Sequence, residues 1–186
     1  SQFTNPDQNI VFHSENGVLN YGSLAEVEEE DPNLINAGGQ FLKPTVGMAF
    51  FNSADAFAMI RGGHIDISVL GALQISAKGD LANWMIPERS IGNIGGAMDL
   101  ATGAKKLIVA MEHTDRNNNP KIVTKCSYPL TVPECVDLIV TDLCVISVES
   151  QRLIVKEIAP GWNKDEIQNL TEAKLLFDNN ITEITL

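Results

Sequence analysis

Residues 91–115 read IGNIGGAMDLATGAKKLIVAMEHTD, and this stretch decides the fold. Gly92, Gly95 and Gly96 remove Cβ atoms and free the backbone for a tight loop. A helix is expected from about Ala97, a turn at Thr102–Gly103, and a strand over Leu107–Met111. That strand is a continuous apolar run, the mark of a parallel sheet covered on both faces. A glycine loop that feeds a helix can aim backbone N–H groups at an anion or a developing oxyanion. The loop is not GxGxxG, and it lacks the Gly-Lys-Ser/Thr of a nucleoside-triphosphate loop. The competing reading is a tight turn that lets helix and strand pack closely.

Working outward, the same alternation recurs. Upstream, SADAFAMIRGG (53–63) reads as a helix with Ser53 as N-cap, Asp55 in the first turn and Gly62–Gly63 as the stop. HIDISVLGALQIS (64–76) follows as one strand, with Ile65, Ile67, Val69 and Leu70 as its apolar side chains. AKGDLANWMIP (77–87) is turn and irregular chain, and the acidic SLAEVEEEDPN (23–33) is a surface connection. Downstream, RNNNPK (116–121) is a loop, and PLTVPECVDLIVTD (129–142) starts a helix with a Thr131/Glu134 capping box. LCVISVE (143–149) and RLIVKEIAP (152–160) form a hairpin around Glu149–Gln151. GWNKDEIQNLT (161–171) is a short helix capped by Asn163, and AKLLFD (173–178) is a last strand. This pattern predicts an α/β fold: an open, mainly parallel sheet with helices on both faces, in one domain over residues 1–186. Ligands gather at the carboxyl ends of strands in such sheets.

Charge narrows the function. The 186 residues hold 24 acids and 13 bases, a formal charge of -11. Sequence-independent nucleic-acid binding and anionic membrane surfaces both need clustered Lys and Arg, so neither is expected. No apolar run reaches transmembrane length, and no signal-peptide pattern opens the chain. Cys126, Cys135 and Cys144 form no CxxC pair, which argues against a disulfide framework or a structural zinc site. Cys144, inside VTDLCVISV, reads as a buried thiol, and a reducing, cytoplasmic setting fits. His64 with Asp66, and Glu112 with His113 and Asp115, are too sparse for a metal site, so no metal is expected.

One carboxylate stands apart. In FHSENGVLNYG (12–22), Glu15 lies between Ser14 and Asn16, just before Gly17, where the short β-prone run NIVFHS (9–14) ends. It reads either as a solvated turn or as a nucleophile at the mouth of a cleft. A carboxylate attacks activated acyl groups and can form a covalent intermediate.

SENGVL, LINAGG, FFNSADAFAMIRGGHID, GDLANWMIP, GGAMDL, GAKKLIVAMEH and PLT occur in this order from Ser14 to about Thr131. Together they resemble the β subunit of a family I CoA-transferase. That group includes succinyl-CoA:3-oxoacid CoA-transferase and the bacterial butyrate/acetate–acetoacetate CoA-transferases. The tail through LTEAKLLF resembles it more weakly. The resemblance implies an open α/β sheet shared with some sugar-phosphate isomerases. It implies Glu15 as the nucleophile, with Gly95, Gly96, Ala97 and Asn16 as oxyanion or CoA-binding positions. It further implies no permanently bound cofactor: CoA is substrate and covalent intermediate, moving between short-chain acyl-CoA and acetate, butyrate, acetoacetate or succinate. The implied partner is a separate α subunit, in an α2β2 assembly.

Three departures accompany the match. Only SQFTNPDQNIVFH precedes SENG, where the family carries a helix, a strand and a glycine-containing loop, so a shortened N-terminus is expected. Gly39 stands where the ketone-body enzymes carry Lys, and Lys43 is a candidate replacement. PERSIGNIGG replaces a more basic stretch, and Glu88 is expected to point away from an anion site. A sugar-phosphate isomerase with Glu15 as base and a non-catalytic structural subunit are the alternatives.

Overall fold

The computed structural model describes residues 3–89 and 91–185, which gather into two compact units divided between Ile65 and Asp66. In the first unit, β1 (His13–Ser14), β2 (Val18–Leu19) and β3 (Ala49–Phe50) form a small antiparallel sheet in the order β1-β2-β3. Its interior holds Val18, Leu42, Ala56 and Ile60. Helix α1 (Ser53–Arg61) supplies the last two, one turn apart on one face. Its N-cap is Asn52 rather than Ser53: Asn52 Oδ1 accepts from the Asp55 N–H at 3.0 Å, and its Nδ2 donates to the Asp55 carboxylate at 2.9 Å. Asn outcompetes Ser here because its longer side chain reaches both groups from one residue earlier. The helix stops at Gly62–Gly63 as expected, with Gly63 left-handed at φ +73°.

The second unit carries the main sheet. Its strands are β4 (Ile67–Leu70), β9 (Lys106–Ala110), β11 (Leu138–Val140), β12 (Cys144–Glu149), β13 (Arg152–Ile158) and β14 (Leu175–Glu183), in the order β14-β13-β12-β11-β9-β4. Three of the five pairings are parallel (β4 with β9, β9 with β11, β13 with β14), and the expected hairpin supplies antiparallel pairing at β12 with β13. Helix α2 (Ala97–Gly103) connects toward β9, and α3 (Lys164–Asn169) connects toward β14. The fold is thus α/β with a mixed, mostly parallel sheet. Short strands β5 (Gln74–Ser76), β6 (Leu81–Ala82) and β10 (Ile122–Val123) make a side sheet, and β7 (Met85–Ile86) pairs with β8 (Ile91–Gly92).

Register sorts the main sheet into two faces. Leu107, Val109, Ile139, Ile146, Leu153, Val155 and Leu175 point into the core, joined by Ala101 of α2 and Ile167 of α3. The opposite face presents Ile67, Val69, Ile108, Leu138, Val140, Val145, Ile154 and Leu176, all partly or largely exposed. Ile67 and Val69 are 54% and 62% exposed, while Ser68 between them is buried. Among the described residues no helix is long and apolar enough to cross a membrane.

Three segments depart from the sequence reading. AKGDLANWMIP, expected as turn and irregular chain, carries the short strands β6 and β7. HIDISVLGALQIS is two strands, not one. After Leu70 pairs with Val109, the chain turns at Gly71, and the Leu73 N–H bonds Ala82 O at 2.9 Å, which hands β5 to the side sheet. PLTVPECVDLIVTD forms no helix. The Thr131 hydroxyl, meant as a cap, accepts from Asn83 N–H at 3.1 Å and donates to Asn83 Oδ1 at 2.7 Å. Glu134, meant as its partner, is left-handed at φ +48° and donates its N–H to Asp80 at 3.0 Å. Long-range bonds to residues 80–83 hold this segment extended until β11.

Candidate active site

Glu15 sits in a four-residue turn between β1 and β2. Ser14 pairs with Val18, and the Gly17 N–H closes the turn on Ser14 O at 3.0 Å. Gly17 is required twice over. Its φ is +115°, and a Cβ there would lie 2.2 Å from Phe51 O. That close approach comes with a bond from Phe51 N–H to Gly17 O at 3.1 Å, which ties the turn to the chain leading into α1. Asn16 is anchored too: its Nδ2 donates to Ile35 O at 2.8 Å. The Glu15 side chain is half-buried and, among the described residues, takes part in no hydrogen bond. A small cavity of about 50 Å³ lies behind the turn, lined by Asn16, Gly17, Val18, Leu34, Leu42 and Phe50. Ligand pockets run to roughly 300 Å³ and more, so this cavity is a packing gap rather than a CoA-sized site.

The sequence reading missed the residues around Glu15. His13 stacks on Phe51, with ring centroids 5.5 Å apart and planes 19° from parallel. Tyr21 meets Phe12 at 5.5 Å. Burial pushes the His13 imidazole below its ordinary value, against the opposing pull of the Glu15 charge. Burial raises the Tyr21 phenol, and the same charge adds to the rise. His13 and Tyr21 thus feel one carboxylate. The available signal was a His two residues before the acid, but stacking and burial are not written in residue order.

The glycine loop is in the second unit. Gly95 is left-handed at φ +48°, and its N–H already donates to Asn93 Oδ1 at 3.0 Å. The Ala97 N–H donates to Ile94 O at 3.1 Å. Gly96 caps α2 with φ −89°, and its N–H makes no hydrogen bond among the described residues. Of the three expected donors, Gly96 is therefore the one left open. Glu15 and Asn16 belong to the first unit, and Gly95, Gly96 and Ala97 to the second.

The remaining polar candidates have local tasks. Lys43 pairs with Glu29 at 3.2 Å, Gly39 is exposed with open space around it, and Glu88 is exposed. Asp66 pairs with Lys105 at 2.6 Å. His113 is buried, with Nδ1 3.0 Å from Thr141 Oγ1 and Nε2 2.8 Å from Thr171 Oγ1. Cys126, Cys135 and Cys144 are free, and burial raises each thiol to about 11, so none is a ready thiolate.

Comparison with known proteins places the chain. A family model described as coenzyme A transferase matches residues 4–170. A probable coenzyme A transferase subunit beta of Bacillus subtilis is 47% identical over 95% of this chain and 81% of its own length. A succinyl-CoA:3-ketoacid coenzyme A transferase subunit of Helicobacter pylori is 47% identical over 89% of this chain and 80% of its own. A crystal structure of an acyl-CoA transferase from Escherichia coli O157:H7 superposes with a TM-score of 0.74 over 96% of this chain and 36% of that one; at 15% identity the likeness is one of fold. The isomerase and non-catalytic alternatives are not favoured by these relatives. With its SENG turn, its glycine loop and these matches along nearly its whole length, the chain belongs to the coenzyme A transferase family as a β subunit.

Proposed function

We propose that Glu15 is the nucleophile that moves CoA between a short-chain acyl-CoA and a carboxylate, with acetate, butyrate, acetoacetate and succinate as the substrate class. The observation that carries this reading is the Ser14–Gly17 turn, which holds the half-buried Glu15 carboxylate free of hydrogen bonds among the described residues and is closed at Gly17, a position where a side chain would strike Phe51 O. A Glu15 oxygen attacks the thioester carbonyl, the C–S bond breaks, and CoA leaves as thiolate from a mixed anhydride. The thiolate attacks the glutamyl carbonyl, the anhydride C–O bond breaks, and the donor acid departs, leaving a glutamyl-CoA thioester. An acceptor carboxylate reverses both steps and departs as its CoA ester, restoring Glu15 with no net proton or water consumed. Each step passes through an oxyanion that a backbone N–H donor would stabilise; Gly95, Gly96, Ala97 and Asn16 are the proposed oxyanion or CoA-binding positions, and of the three loop N–H groups that of Gly96 is the one without a hydrogen bond among the described residues.

A separate α subunit completes the enzyme, in an α2β2 assembly in the cytoplasm, where free thiols stay reduced. The test is chemical. The chain and its α subunit are incubated with acetoacetyl-CoA and treated with borohydride, and the peptides are weighed. Reduction at Glu15 to the alcohol is expected. Full turnover in Glu15→Ala, with no reduction in the native chain, would remove the mechanism.

A further inference from the structure

Two hydrogen-bonding atoms immediately before Glu15 are shut off from solvent and have no hydrogen-bond partner among the described residues: Ser14 Oγ and His13 Nε2. A buried polar atom left unpaired costs about 1–3 kcal/mol. Folding alone would favour an apolar side chain at either place, so the hairpin carries a cost that needs another reason.

The His13 ring is held for a task. Phe51 lies against its face, and the Phe51 N–H is bonded to Gly17 O at 3.1 Å. The same turn therefore supports both the nucleophile and the platform under the imidazole. His13 lies two residues before Glu15 on the strand that enters the turn, and burial lowers the imidazole from its ordinary value against the opposing pull of the Glu15 charge, which favours the neutral ring. A neutral N–H donor suits a residue that alternates between two forms. It does not trap the carboxylate as a fixed ion pair would, yet it can hold a carbonyl once Glu15 is acylated.

We propose that His13 is a positioning residue acting through Glu15: its Nε2–H holds the carbonyl oxygen of acylated Glu15 in the orientation that the incoming thiolate or carboxylate attacks. This rests on the reading of Glu15 as nucleophile.

The test uses the chain assembled with its α subunit, as native protein, His13→Leu and His13→Gln. Glutamine carries an amide N–H at about the reach of Nε2, whereas leucine fills the space without a donor. The native protein is expected to form the CoA adduct at Glu15. His13→Leu should lower kcat by about tenfold to a hundredfold, with KM for acyl-CoA little changed, and His13→Gln should recover most of that loss. A native-like kcat in His13→Leu overturns the proposal. Equal losses in both variants, matched by equal drops in unfolding temperature, also overturn it and leave His13 a packing role. If the native protein forms no adduct, the reading of Glu15 falls, and the proposal falls with it; the adduct measurement tells these failures apart.

Discussion

Glu15 and Gly17 stand two residues apart and answer to different physics. The carboxylate makes no hydrogen bond among the described residues, so Glu15→Gln should fold as the native chain does. Its transferase activity should fall by about a thousandfold or more, read as kcat with the α subunit present. Gly17→Ala should do the opposite damage. A methyl group 2.2 Å from Phe51 O forces the turn off the chain before α1, and a lower unfolding temperature should appear with or without substrate. Gly96→Val tests the proposed oxyanion role of the glycine loop: unfolding should shift little, and kcat should drop by about a hundredfold. Sequence alone pointed to Glu15 because a short motif repeats a known order of residues. It was silent on His13 and Ser14, whose importance lies in one polar atom each, Nε2 and Oγ, buried without a hydrogen bond among the described residues, a property of packing.

At the scale of elements, what could be read was what is local. The expected Asn163 cap at α3 is real and extends to a capping box: Asn163 Oδ1 accepts from the Glu166 N–H at 3.0 Å, and the Glu166 carboxylate accepts from the Asn163 N–H at 3.0 Å. Asn163→Ala should cost about 1 kcal/mol and lower the unfolding midpoint by roughly 2–4 °C. The same motif at Thr131 and Glu134 gave a helix that does not exist, because Asn83 and Asp80 claim those groups from about fifty residues away. Ser150 and Gln151, left-handed at φ +50° and +59°, turn the β12–β13 hairpin where the break between two apolar runs foretold it. His113 joins three elements: it follows β9, and its ring bridges the β11–β12 turn and the end of α3. Burial holds that imidazole below its ordinary 6.5, against the pull of the Asp142 charge. Below that value the unfolded chain binds more protons than the folded one, so stability is complete above it and lost as pH falls through it. Urea midpoints should therefore drop between about pH 7.5 and about pH 5.5, and the slope should flatten in His113→Gln.

Across the whole chain, the main sheet is sealed on one face by α2 and α3, while the other leaves eight apolar side chains partly or largely in water. Parallel strands are ordinarily covered on both faces. The chain on its own should therefore bind an anilinonaphthalene dye strongly, and Val69→Lys, at a position 62% exposed, should weaken the binding without shifting unfolding by more than a degree or so. Dye binding as weak as that of an ordinary monomer would mean the face is closed in solution. The rims of this sheet differ as well. β14 carries Asp178 and Glu183, whereas β4, at the far end, reads ISVL with neither charge nor proline. Unpaired backbone at an uncharged rim is a template for another strand. For anyone purifying the chain alone, β4 sets the shelf life: cloudiness should rise steeply with concentration, begin strand to strand at ISVL, and be delayed by the single change Ile67→Lys.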